Sequence, residues 1–215
     1  MATQPTGTPN ASLADRAKNI IMQPRAEWPR IDAEPDTIGG IYKRYVIILA
    51  AIGPVAGLIG MLAFGVRVLG FTYRPPVGSA IATAVVQYLL SLASVYILAL
   101  IIEALAPTFG GTKDRVKAFK VAAYSMTAAW LAGIFAIIPN LAWLGLVGLY
   151  SFYLLYLGLP VLMKVSQDKA VGYWVAAVLT AIVLYFVVAY IAGSVVGGII
   201  GGPGPSSVTV NLPAS

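Results

Sequence analysis

Glu103 is the residue with the most chemical promise, because it is the one carboxylate set inside an apolar stretch long enough to cross a membrane. A charge in hydrocarbon is costly, so an intramembrane carboxylate is either paired or put to use. Used, it would couple a proton or an ion; paired, it would fix a helix end. The basic residues Lys113, Arg115 and Lys117 follow closely in the chain, and pairing with them is the plainer reading. The same stretch carries Gln87, Ser91 and Ser94 at i, i+4 and i+7, which share one helix face. Such a stripe can line a pathway, yet more often it supplies interhelical hydrogen bonds, at about 0.6 kcal/mol each and at most roughly 2. At roughly 100° per residue, Glu103 falls about 160° away from Gln87. Carboxylate and stripe form no continuous polar track, which weakens a transport reading.

Little else in the chain could react. Cys and His are both absent, which removes thiol nucleophiles, disulfides, the usual zinc ligand sets and the one side chain that normally titrates near neutrality. Phe109, Gly110, Gly111, Thr112 and Lys113 faintly resemble a phosphate cradle but lack the order of a nucleotide loop and a preceding strand. No catalytic residue, metal ligand set or cofactor is expected, and an enzyme is the least expected class.

Lipid is what must position these residues. The 215 residues are 59% hydrophobic and 10% charged, against about 45–50% and about 25% in soluble domains. Apolar segments at 45–64, 81–106, 121–138, 141–163 and 171–200 approach or exceed the length of a membrane crossing. The expected fold is an all-α integral membrane bundle of five transmembrane helices with a short amphipathic N-terminal interfacial helix.

Residues 1–12 are small and polar and read as a disordered tail, and residues 201–215 as an external tail. Between them and the bundle, residues 13–44 read as a cytoplasmic interfacial segment. Leu13, Ala17, Ile20 and Ile21 share a helix face there, while Arg16, Lys18, Arg25, Trp28 and Arg30 suit contact with lipid headgroups, above all anionic ones. The alternative is a small helix packed on the rest of the protein. With the N-terminus in the cytoplasm, twelve Lys and Arg residues fall inside and only Arg67 and Arg74 outside. That bias orients the chain with its C-terminus external.

Within the spans, Pro54 and Pro160 free the carbonyls of Ala50 and Tyr156, and kinks that fit neighbouring helices are expected. Small residues at four-residue spacing, Gly53 and Gly57 and later Gly193, Gly197 and Gly201, let helix backbones approach, within the bundle or against a second copy. Tyr150, Tyr153 and Tyr156 form a ladder suited to hydrogen bonds across helices.

Several stretches together resemble the Yip1 family, in particular its bacterial branch of small five-helix inner-membrane proteins. They are IIMQPRAEWPRIDAEP at 20–35, EALAPTFGG at 103–111 and, within 120–170, AYSMTAAWLAGIFAIIP, LYSFYLLYLGLPVLMK and DKA. Where the family's middle motif has proline after the position of Thr127, this chain has Ala128. The resemblance implies a five-helix bundle with a cytoplasmic N-terminus in a bacterial inner membrane. Eukaryotic relatives are associated with Rab GTPases and vesicle traffic, but this chain has little of a long cytoplasmic partner-binding region. For the bacterial branch the resemblance implies membrane organisation and names no substrate. The leading expectation is a non-enzymatic membrane protein that packs with lipid, a membrane-protein partner or a second copy, with no nucleic acid. A small transporter or channel is the alternative.

Overall fold

The computed structural model describes residues 11–68 and 71–200; the predicted tail as far as residue 10, residues 201–215 and with them Gly201 lie outside. Ser12 opens the first helix, α1 (Leu13–Met22), where its side chain accepts from the Asp15 N–H at 3.1 Å. That bond satisfies one of the donors a helix start leaves unmatched. Pro24 cannot extend α1 but suits the first turn of α2 (Pro24–Ala33), since its missing N–H costs nothing there. The two form a helical hairpin ahead of the bundle.

Five helical stretches are long and apolar enough to cross a membrane: Ile38–Phe64, Val77–Phe109, Arg115–Ile137, Pro139–Met163 and Gln167–Val195. In chain order they are the first to fifth spans. The first passes through a π-helical turn at Tyr42–Val46 and is interrupted at Ala51, just ahead of Pro54. The second is a regular α-helix over Val77–Leu105 that closes in a 3-10 turn. Gly110 ends that turn at φ 73°, a left-handed conformation that glycine adopts without a steric penalty. The third breaks at Met126 although alanine, not proline, stands at 128. Ser125 and Thr127 both donate back to carbonyls of the preceding turn, Val121 and Tyr124, a bond that bends helices.

Beyond that break the helices tighten. The third span ends in a 3-10 stretch, Gly133–Ile137, and the fourth begins with another, Pro139–Leu149, before becoming α-helical over Tyr150–Met163. The fifth is one uninterrupted α-helix, Gln167–Ile200. Between the first and second spans, β1 (Val66–Val68) and β2 (Phe71–Tyr73) pair antiparallel with Val66 opposite Tyr73. The sequence reading anticipates no strand there; this small hairpin lies outside the spans and leaves the bundle all-helical.

The core sits at the end of the bundle that carries the basic residues. Trp28, Tyr173, Phe119, Ile20, Ile31 and Ile102 are fully buried there, whereas residues 133–137 and 139–149 contribute no buried side chain. At that far end the first and third spans instead meet backbone to backbone. A Cβ on Gly133 would lie 2.8 Å from the Gly53 Cα, and one on Gly60 would lie 2.4 Å from the Ala136 carbonyl oxygen. Gly53 and Gly60 are close to two full helix turns apart and so face the same neighbour. Gly57, the partner suggested by four-residue spacing, meets nothing within 4 Å. Nor does Gly193, which therefore packs no described residue against its face of the fifth span.

Candidate functional site

The polar stripe on the second span faces a cavity. Gln87, Ser91 and Ser94 line a groove of about 370 Å³ between the second, third and fifth spans, whose remaining wall includes Leu98, Trp130 and Tyr185. The regular α-helix holds the three on one side, as their spacing requires. Ser91 Oγ donates to the Tyr88 carbonyl at 2.8 Å and Ser94 Oγ to the Leu90 carbonyl at 2.6 Å, so both hydroxyls are spent on their own helix. Gln87 differs. Its amide is exposed and forms no hydrogen bond with any described residue.

Glu103 stands apart from this groove. It is buried near the basic end of the second span, and its Oε2 accepts from Arg115 Nε at 2.9 Å. The pair ties the second span to the start of the third. It offers the groove no charge, so the carboxylate and the amide belong to separate places in the fold.

The N-terminal hairpin holds a second cluster. Arg16 is buried and donates to Glu27 at 2.6 Å and to Glu34, and its guanidinium lies 5.8 Å from the Tyr124 ring centroid. Burial alone would depress the Arg16 pKa, but Glu34 first, then Tyr124 and Glu27, outweigh it and hold it above the ordinary value. Arg30 reaches the other Glu27 oxygen at 3.4 Å. Trp28 is fully buried against Gly158 of the fourth span, where a Cβ would come within 2.7 Å of the indole.

Further bonds stitch the hairpin to the bundle. Lys120 Nζ donates to the Ile31 carbonyl at 2.7 Å and to that of Glu34, and Tyr150 donates to the Ile21 carbonyl at 3.0 Å. Asp32 pairs with Lys117 at 2.9 Å and Lys164 at 2.5 Å. Partial burial pushes the Asp32 carboxyl up, but Lys164 and Lys117 outweigh it and hold its pKa below the usual carboxylate value.

This arrangement corrects the lipid-contact reading at two positions. Trp28 is enclosed by protein, and Arg16 is withdrawn from the open surface onto Glu27 and Glu34, while Lys18, Arg25 and Arg30 remain exposed. Helical periodicity sorts polar from apolar faces but carries no information about an ion pair formed with a carboxylate in a later turn of chain. Glu27 and Glu34, the only signal for such a pair, lie in the stretch that the family resemblance picked out.

Comparison with known proteins agrees with this architecture. A sequence profile described as the Yip1 domain matches residues 18–200. Inner membrane protein YohC of Escherichia coli strain K12 is 28% identical over 160 residues, covering 72% of this chain and 82% of that protein. The YohC of Escherichia coli O6:H1 is similar to the same extent. No solved structure matches the chain.

Proposed function

Because the chain belongs to the Yip1 domain family, we propose that it is a non-enzymatic protein of the bacterial inner membrane that organises its surroundings by docking a neighbouring transmembrane helix in the groove at Gln87. The observation that carries this is the unpartnered amide. Gln87 lies about 15 Å along the helix from Val77, at about 1.5 Å per residue, which is half of a hydrocarbon core of about 30 Å. Acyl chains offer neither donors nor acceptors, and a polar group left bare among them costs several kcal/mol. A second helix bringing its own polar side chain would satisfy the amide. A second copy of this chain, with Gln87 against Gln87, is the simplest such partner, because a carboxamide is its own complement. The lack of His and Cys supports a role without catalysis, and the positive-inside bias supports a cytoplasmic N-terminus and an external C-terminus.

Disulfide trapping tests the proposal cleanly, since the chain has no cysteine of its own. Oxidised in native membranes, Gln87→Cys should give a covalent dimer, while Val85→Cys, exposed on a different face of the same helix, should not. Equal trapping at both positions, or none at either, overturns the second-copy form of the proposal. The stripe that lines the groove keeps transport as a second reading. It requires water at Ser91 and Ser94, so Ser91→Cys should then react with a membrane-impermeant thiol reagent.

A further inference from the structure

We infer that a phospholipid headgroup binds at the basic end of the bundle, in a pocket between α1, the turn after α2 and the start of the first span, with an amine-bearing zwitterion as the preferred lipid. The pocket encloses about 490 Å³, and its polar wall is built from Arg16, Glu34, Asp36, Lys43, Arg44 and Tyr124. Tyr45 closes the inner side, fixed by a 2.7 Å hydrogen bond between its hydroxyl and Thr127.

The local backbone has a form often reserved for binding. Tyr42–Val46 is a π-helical turn, which widens the helix by one residue and re-aims the side chains it carries. Lys43, Arg44 and Tyr45 all belong to that turn and all line the pocket. Most of the charges already have partners: Arg16 is held by Glu27 and Glu34, and Arg44 by Asp36 at 2.7 Å. Lys43 is exposed and makes no ion pair among the described residues. A lone cation beside a second, half-engaged one suits a phosphate, and two carboxylates on the same wall suit an ammonium group attached to it. Glu34 bonds Arg16 through one carboxylate oxygen and keeps the other without a partner among the described residues, an acceptor that an ammonium can use and a headgroup that is only anionic cannot.

The pocket also borders an apolar groove. Ile48 lines both this polar pocket and an apolar groove of about 300 Å³ that runs between the first and third spans past Val55, Ile59, Ile134 and Ile137. Ile48, Val55 and Ile59 are exposed at helical spacing, which makes one track along the first span. A polar chamber that shares a wall with an apolar groove suits an amphiphile laid across both, and a free phosphate would leave the groove unused. Gln87 is no part of it, so occupancy here is independent of helix docking there.

Native mass spectrometry of the detergent-purified protein, supplied in turn with phosphatidylethanolamine, phosphatidylcholine and phosphatidylglycerol, tests this. Phosphatidylethanolamine should be retained most strongly. Lys43→Glu should lower its retention about 5- to 10-fold, the effect of losing one charged contact of about 1–1.4 kcal/mol, whereas Lys169→Glu, an equal charge change at an exposed site outside the pocket, should not. Equal retention of the three lipids overturns the inference. So does a Lys43→Glu protein that behaves like Lys169→Glu, and so does retention of inorganic phosphate alone at the same level.

Discussion

The two ends of this bundle solve the same packing problem with different materials. At the basic end the hairpin of α1 and α2 is locked under the spans by Trp28 against Gly158, by Lys120 on two carbonyls and by Asp32 between two lysines. At the far end no side chain of residues 133–149 is buried, and the first and third spans touch through Gly53, Gly60 and Gly133. The difference follows from the solvent. Near the headgroups, water makes burial of large apolar groups favourable and charges need partners. Among acyl chains there is no such driving force, and close backbone contact between small residues does the packing.

Substitutions can break that contrast, beginning where the effect is largest. Glu27→Ala should cost about 3–5 kcal/mol, because it removes the fully buried one of the two carboxylates that hold the buried Arg16. Thermal unfolding in detergent, with trypsin cleavage at the exposed Lys18 and Arg25 as a second readout, would show an opened hairpin. Trp28→Ala should follow closely, at about 3–5 kcal/mol for an emptied aromatic site. If either variant melts like the unchanged protein, the basic end is not what holds the fold. At the far end, Gly60→Ala should cost about 1–3 kcal/mol through overpacking against the Ala136 carbonyl, and trypsin should leave the hairpin untouched.

Asp32 gives a pH signature. Its folded pKa lies below the ordinary value of 3.8, so its contribution is fully present above that value and is lost as pH falls through the lowered one. Asp32→Asn should therefore expose the hairpin to pepsin faster than the unchanged protein at pH values just above the ordinary one, and the two should converge at stronger acidity. A gap that persists in strong acid would mean that the ion pairs with Lys117 and Lys164 are not its source. Smallest of all, Gln87→Leu should leave the melting temperature of the isolated chain nearly unchanged, since that amide bonds no described residue.

Much of the fold was legible because its signals are local. Five apolar runs, prolines at the starts of α2 and of the fourth span, and lysines gathered on one side can be read a few residues at a time. The stripe of Gln87, Ser91 and Ser94 was likewise readable, since helical spacing alone brings it together. Arg16 was not, because its partners Glu27 and Glu34 sit in another helix and beyond it. Gly60 was missed in favour of Gly57 because a four-residue rule ignores which neighbour lies opposite. The pocket around Lys43 depends on a π-helical turn, for which Tyr-Lys-Arg-Tyr-Val carries no recognised signal.

The tight winding of Pro139–Leu149 has a mechanical consequence. A 3-10 helix rises about 2.0 Å per residue and an α-helix about 1.5 Å, so rewinding this stretch would draw the fourth span in by about 5 Å. That reserve is comparable to the few ångströms by which bilayers differ in thickness. The spare length thus lies where little is bolted down, and taking it up would shorten the span toward a thinner membrane without disturbing the end that gives the molecule its shape.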